Sequence, residues 1–332
     1  MPPIRTLTAL CLTAALAAPA ARADSPIPAP AASAPAELAG VPFGTMDFDW
    51  RDESRSRSVP VRLYLPDAAA AGKPVPLVVF SHGIGGSRMG YSYLGRYWAS
   101  QGYASLHLQH VGSDRNLWAG NPFGLVGRLR DAAQDKEAIA RVRDLRFALD
   151  QLLAGPLASR IDADRIVAAG HSYGANTTLL AAGAQVERAG QRLDFRDPRI
   201  KAAIILSAPP FYGETDPAKV LAGITVPTLH VTATEDIIRI PGYYSGATDR
   251  VAVFDATGSA RKALAVFAGG SHSMFTDRSG TGGMALNPKV KDATRALSLA
   301  FLKDVFDGED AALRQWPAQF AGIVARYTRL GL

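Results

Sequence analysis

Cysteine is all but missing from this chain of 332 residues: the one that occurs, Cys11, lies in the first apolar stretch. A disulfide framework is therefore excluded for the body of the protein, which must be held by packing alone. Charge is scarce as well, at 20% of residues against 48% hydrophobic, so the chain carries enough apolar matter for a sizeable core. The net formal charge is only +6, and Lys and Arg are scattered among acids without interleaved aromatics. That pattern argues against a nucleic-acid surface. The apolar stretch Leu7–Ala18 falls short of the roughly 20 residues that span a bilayer. No internal repeat is present, and nothing in the sequence sets the oligomeric state.

What is present begins with a leader. Arg5, the apolar Leu7–Ala18 and Ala21-Arg22-Ala23 form the n-region, h-region and A-x-A site of a secretory signal peptide over residues 1–23, cleaved after Ala23. The expected product is secreted or periplasmic, with no stable membrane insertion. Residues 24–40 are rich in Pro and Ala and read as an unpacked tail. Residues 41–332 are expected to form one catalytic domain.

Within that body, Gly44–Trp50 and Val59–Leu65 alternate around the polar turn Arg51–Ser58, which predicts an antiparallel hairpin. Short apolar runs then recur at Pro76–Ser81, Ala104–His110, Ile166–Ala169, Ala202–Leu206, Thr228–Thr232 and Leu264–Phe267. Helical or Gly/Pro-rich segments separate them, and this alternation predicts an α/β protein with a mostly parallel sheet. Among the helices, Arg128–Leu153 reads as one long amphipathic element with Arg141, Arg143, Arg146 and Asp150 outward.

The pattern that carries chemistry is Gly170-His-Ser-Tyr-Gly174, set between the apolar run Ile166–Ala169 and a small-residue helix from Tyr173 to Gln185. This is the G-x-S-x-G nucleophile elbow, in which a strand reverses into a helix around an exposed serine and the glycines remove steric obstruction. A serine hydroxyl is a weak nucleophile, so Ser172 requires a histidine base and a carboxylate to orient it. Of the six histidines, His230 lies in an apolar strand, His107 and His110 end another strand and read as structural, and His171 points away from its neighbour's base position. His272, in the Gly-rich loop past the last apolar run, is the expected base. Asp236 is preferred over Glu235 as the acid, being farther past its strand, and Asp255 is a distant third. The oxyanion donors expected from such an elbow are the N–H of Tyr173 and the N–H of Ile84 in His82-Gly-Ile-Gly-Gly86.

Phe80–Gly86, Ala99–Tyr103, Asp164–Gly174 and Gly270-Ser-His272 together resemble the α/β-hydrolases, in the branch of dienelactone-hydrolase-like esterases and platelet-activating-factor acetylhydrolases. The resemblance covers roughly residues 44–305. It implies helices on both faces of the sheet and a serine ester hydrolase without metal or organic cofactor, using Ser172, Asp236 and His272 with Ile84 and Tyr173 as backbone donors. Dienelactone hydrolases proper carry a cysteine where this chain has Ser172, which speaks against lactone specificity.

Between residues 112 and 130, Leu117, Trp118, Pro122, Phe123, Leu125 and Val126 form either a pocket wall or lid, or local packing on the next helix. Trp118, Phe123, Phe211, Tyr212 and Tyr243 are the candidate pocket residues, and none announces a charged clamp. Small or moderately hydrophobic uncharged esters follow as the expected substrates. A peptidase or amidase of the same fold, and a non-catalytic binding protein on the same scaffold, are the alternatives.

Overall fold

In chain order, strand β1 (Phe43–Asp52) and β2 (Arg57–Pro66) are followed by β3 (Val75–Ser81), helix α1 (Ser92–Ser100), β4 (Ala104–Leu108), α2 (Leu125–Ala132), α3 (Asp135–Ala154), β5 (Ile161–His171) and α4 (Tyr173–Ala182). There follow β6 (Gln185–Arg188), β7 (Gln191–Asp194), β8 (Ile200–Leu206), α5 (Pro217–Leu221), β9 (Thr228–Glu235), β10 (Ile238–Ile240), β11 (Tyr243–Ser245) and α6 (Ala247–Ala256). The chain ends with β12 (Lys262–Ser271), α7 (Leu286–Asp307), α8 (Ala311–Gln319) and β13 (Val324–Leu330). This computed structural model describes residues 40–71, 73–240 and 242–332. The expected leader, and the expected tail up to residue 39, lie outside the described residues.

Nine strands form one sheet in the order β1-β2-β4-β3-β5-β8-β9-β12-β13. From β4 to β12 every neighbouring pair is parallel, while β1, β2 and β13 run antiparallel at the two edges. The central strands are mostly apolar because both of their faces are covered. Leu77 and Val79 of β3, with Ile166 and Ala168 of β5, pack into one cluster with Val142, Leu145 and Leu149 of α3 and Leu179 of α4. Val78, Phe80, Val167 and Ala169 face the other way, onto Leu94 and Trp98 of α1, Leu297 and Phe301 of α7 and Trp316 of α8. Each strand thus alternates between two helical layers, as a period of two requires. The parallel strands also open their C-terminal ends onto one edge, where the loops carrying residues 82–86, Ser172, Asp236 and His272 gather.

The structure corrects two of the expected helices and the orientation of one residue. The helix read over Arg128–Leu153 is two helices, broken at Gln134, whose extended backbone (φ −72°, ψ 154°) starts α3 afresh. Arg141 does not face outward but is 0% exposed. The reason is that Glu137, Arg141 and Asp144 share a helical stripe with buried Leu145 and Ala148, and the stripe faces inward as a polar network. The helix from Tyr173 stops at Ala182 rather than Gln185, closed by Gly183 at φ 124°. The small hairpin β6–β7 and the C-terminal α7, α8 and β13 had not been resolved from the sequence pattern.

Five histidines are buried, and burial lowers the pKa of each: to about 4 for His107, to about 3 for His171 and His230, and well below the ordinary 6.5 for His82 and His110. They stay neutral when folded but take up protons when unfolded below pH 6.5. Their lowered folded-state pKa therefore contributes stability that is complete above that pH and lost as pH falls toward 4, at up to ~1.4 kcal/mol per pH unit for each. Glu137 and Asp144, whose pKa values burial raises, act in the opposite sense but are only two sites. The melting temperature is expected to drop by roughly 10 °C or more between pH 7 and pH 5. A thermal-shift series that stays flat over that range would contradict this account.

Candidate active site

The elbow is built by steric exclusion. A Cβ on Gly174 would overlap the carbonyl oxygen of Ser81 at the end of β3, and a Cβ on Gly170 would overlap the carbonyl oxygen of Gly174. With both positions reduced to glycine, α4 starts directly against the neighbouring strand and the turn between β5 and α4 is a single residue. That residue, Ser172, sits at φ 55° and ψ −122°, a conformation that L-residues avoid at a cost of about 1–3 kcal/mol. Its own N–H is held by Leu206 O at 2.9 Å, which fixes the strained peptide to β8.

Ser172 Oγ lies 2.8 Å from His272 Nε2, and His272 Nδ1 lies 2.7 Å from Asp236 Oδ1. The three side chains expected to act together are thus brought together from the ends of β5, β9 and β12. Asp236 is fully buried, and Glu235 is exposed. Thr232 donates to Asp236 Oδ2 at 2.8 Å, and the buried Arg250 guanidinium lies 3.5 Å from Oδ1. Burial works to raise the Asp236 pKa, but the His272 hydrogen bond, the imidazole charge and Arg250 outweigh it and hold the carboxyl well below the usual carboxylate range.

The backbone N–H groups of Tyr173 and Ile84, both near Ser172, have no backbone or side-chain acceptor among the described residues. Tyr173 N–H is at the first position of α4, where helix geometry leaves it free. Ile84 N–H lacks an acceptor although its neighbours are committed: Gly83 N–H to Tyr91 Oη at 3.2 Å, Gly85 N–H to Ser113 O at 2.8 Å and Gly86 N–H to Gly83 O at 3.0 Å. Ile84, Ser172 and Tyr173 all line one cavity of about 300 Å³.

Phe211, Tyr212 and Tyr243 line that cavity, together with Leu129, Ile139, Leu180, Phe195 and Ile240. Trp118 and Phe123 do not. Trp118, 49% exposed, turns its indole N–H onto Gly85 O at 2.8 Å, and Phe123 is 94% exposed at the tip of a short turn. Their apolar character was the reason for expecting them in the pocket, but the segment contributes through Leu117, Leu129 and Ala132 instead, which pack beneath Ile84 and Ile240. Within residues 112–130, Leu117 therefore packs behind Ile84, while Leu129 of α2 forms part of the cavity wall.

Sequence reasoning also missed the supports behind the site. His171 donates from Nε2 to His272 O at 2.9 Å, and its Nδ1 lies 2.8 Å from Tyr91 Oη. Arg141 reaches three neutral acceptors: Thr177 Oγ1 at 3.0 Å, Ser113 Oγ at 2.8 Å and the His82 carbonyl. Its guanidinium also lies 4.5 Å from the centre of the Tyr173 ring. Among the described residues no cluster of His, Asp and Glu is arranged to hold a metal ion, and no helix is long and apolar enough to cross a membrane.

Comparison with known proteins bears on the fold and on one segment of the chain. Residues 54–116, which include β3 and the loop bearing Ile84, match the family described as platelet-activating factor acetylhydrolase, isoform II. Among solved structures, a ferulic acid esterase from Streptomyces cinnamoneus is similar with a TM-score of 0.61 and 24% identity, over 83% of this chain and 93% of that one. No curated protein matches the sequence. The likeness to the esterase structure shows the fold, and the chain has the α/β-hydrolase fold that Phe80–Gly86 and the elbow led one to expect.

Gly174→Ala is expected to leave the protein insoluble or to lower its stability by more than ~3 kcal/mol, since the obstructing atom is backbone and cannot rotate away. A soluble Gly174→Ala protein with an unchanged melting temperature would refute the close approach of α4 to β3.

Proposed function

We propose that this protein is a carboxylic ester hydrolase in which Ser172 is the nucleophile, His272 the general base and acid, and Asp236 the group that orients His272. The observation that carries the reading is the unbroken hydrogen-bonded path from Asp236 to His272 to Ser172, at 2.7 and 2.8 Å. The acetylhydrolase family match over residues 54–116 supports it.

The chemistry follows from the positions. Ser172 Oγ attacks the ester carbonyl carbon while its proton passes to His272 Nε2. The carbonyl oxygen becomes an oxyanion and accepts hydrogen bonds from Ile84 N–H and Tyr173 N–H, both without an acceptor among the described residues and both on residues lining the cavity. His272 then gives the proton to the departing alkoxide, leaving an acyl group on Ser172. A water deprotonated by His272 attacks that acyl group, and the tetrahedral intermediate collapses to the free acid and restored Ser172. Asp236 stays ionised throughout and stabilises the imidazolium.

The acyl group occupies the cavity beside Ser172. A volume of about 300 Å³ holds about ten non-hydrogen atoms at the ~30 Å³ a water occupies in the liquid. Its walls are mostly apolar, and the one arginine among them, Arg188, is bound by Asp135 and Glu214 and cannot serve as an anion clamp. Uncharged esters of moderately hydrophobic acids of up to about that size fit this space better than acetate. Export after Ala23 belongs to the same reading and rests on the A-x-A pattern at the leader's end.

A fluorophosphonate probe is expected to label the wild type and not Ser172→Ala, and Ser172→Ala is expected to lose at least ~10⁴-fold in kcat on p-nitrophenyl esters. Substantial turnover by that variant would end the proposal, and faster turnover of a matched anilide than of the ester would favour the amidase reading. Across acyl lengths, kcat/KM is expected to rise about 10- to 100-fold from acetyl to hexanoyl, at up to ~0.8 kcal/mol per buried methylene. A maximum at acetyl would place the acyl group outside this cavity.

A further inference from the structure

Arg141 presents a problem that the ester-hydrolase reading does not by itself solve. Its side chain is 0% exposed, yet among the described residues none of its nitrogens is ion-paired with a carboxylate. The acids nearest to it are already engaged: Glu137 by both terminal nitrogens of Arg57, and Asp144 by Arg55, Arg57 and His110. A buried guanidinium with only neutral acceptors is costly, and a hydrophobic residue would fill the same volume more cheaply.

The three acceptors and the aromatic ring sit on the two segments that bear the oxyanion donors. On one side, Arg141 holds the carbonyl of His82, two residues before Ile84. Through Ser113 it also braces the far side of the same loop, because Ser113 O accepts from Gly85 N–H. On the other side, it donates to Thr177 Oγ1, which itself donates to Tyr173 O at 3.1 Å, and it stacks on the Tyr173 ring. The planar fork has five donors in a fixed geometry, which suits it to set a distance between two backbone segments.

We propose that Arg141 is a positioning residue for the oxyanion hole: one buried guanidinium ties the loop carrying Ile84 to the helix carrying Tyr173 and thereby fixes the separation of the two N–H donors. This rests on the ester-hydrolase reading, in which those two groups receive the developing negative charge. Removing one such donor outright costs about 10²–10³-fold in kcat, and displacing both by a fraction of an ångström costs a substantial part of that. Lysine cannot replace the tie, since its ammonium has no planar fork and does not stack on the ring in the same way.

The test compares wild type with Arg141→Lys and Thr177→Val, the second of which cuts the link to α4 while leaving the guanidinium in place. For Arg141→Lys, kcat on p-nitrophenyl butyrate is expected to fall about 10- to 100-fold with KM within threefold. The inhibition constant of an alkyl trifluoromethyl ketone, which forms an oxyanion adduct at Ser172, should rise by the same factor. Inhibition by the matching alkyl methyl ether, which makes no oxyanion, should stay within threefold. Thr177→Val should show the same split at about 3- to 10-fold, and adding it to Arg141→Lys should cost little more.

A folded Arg141→Lys protein with kcat within threefold of wild type overturns the inference, as does a loss spread equally over the ketone and the ether. If Arg141→Lys does not fold, Thr177→Val decides alone, and a kcat and ketone inhibition constant equal to wild type overturn it. Failure of the ester-hydrolase reading is recognised separately, because wild type itself would then turn over no ester.

Discussion

The carbonyl oxygen of Ser81 occupies the space that a side chain at position 174 would need, and most of the site's geometry descends from that contact. Because α4 begins against the end of β3, the free N–H at its first position lies beside the loop that leaves β3, and Ile84 and Tyr173 come to line the same cavity. The same approach leaves one residue to turn the chain from β5 into α4, so Ser172 is forced to positive φ. That strain of about 1–3 kcal/mol is sustained by the apolar clusters on both faces of the sheet, which determine where β3, β5 and α4 lie. The strained turn at the serine and the availability of the donors are therefore two results of one packing constraint.

The cavity and what lies beneath its loop differ sharply in polarity. Above, the walls are largely aliphatic and aromatic. Below, Arg55, Arg57 and Arg141 are interleaved with Asp52, Glu137 and Asp144, so that three cations face three acids. Two of the arginines come from the entry hairpin, whose edge position in the sheet would otherwise give it no part in the site. By engaging Glu137 and Asp144 from outside, Arg55 and Arg57 satisfy the acids of α3 and leave Arg141 free to turn toward His82 and Thr177. A buried network of this kind is rigid because its ion pairs and the hydrogen bonds of Arg141 are costly to break, and rigidity is what the proposed backbone donors for a short-lived charge require.

How much of this was legible in the sequence depended on which physical signal carried it. The parallel strands were readable because burial on both faces leaves continuous apolar runs, and the elbow because steric exclusion demands glycine at two spaced positions. Asp236 is separable from Glu235 because it lies farther past its strand and is freer to turn toward the base, and Tyr212 and Tyr243 are marked because they follow strands whose C-terminal ends share one edge. Arg141 was not readable. Helical periodicity averages over a face, and an arginine at a buried point of that face looks like solvent exposure unless Glu137 and Asp144 are recognised as its neighbours on the same stripe. Trp118 and Phe123 failed for the converse reason, since apolar content in an irregular segment does not say which way each side chain turns. Thr232, Arg250 and Tyr91 had no local signature, because each acts through a partner distant in the chain or hidden by an ordinary strand pattern.

A second series of buried hydrogen bonds, each of fixed direction, runs behind His272. The carbonyl of His272 can only accept, so His171 Nε2, 2.9 Å away, must carry the proton. His171 Nδ1 is then an acceptor and takes the Tyr91 hydroxyl proton at 2.8 Å, which leaves the Tyr91 oxygen to accept Gly83 N–H at 3.2 Å. Each link has one direction, and none can be reversed without placing two donors face to face. Burial keeps His171 neutral by lowering its pKa to about 3, so the arrangement persists across the physiological range. The backbone of His272 and the peptide preceding Ile84 are thereby joined through two buried rings. A displacement of the loop beneath the oxyanion donors is consequently felt at the backbone of the imidazole that faces Ser172, so the positions of proposed base and proposed donors are not independent variables in this fold.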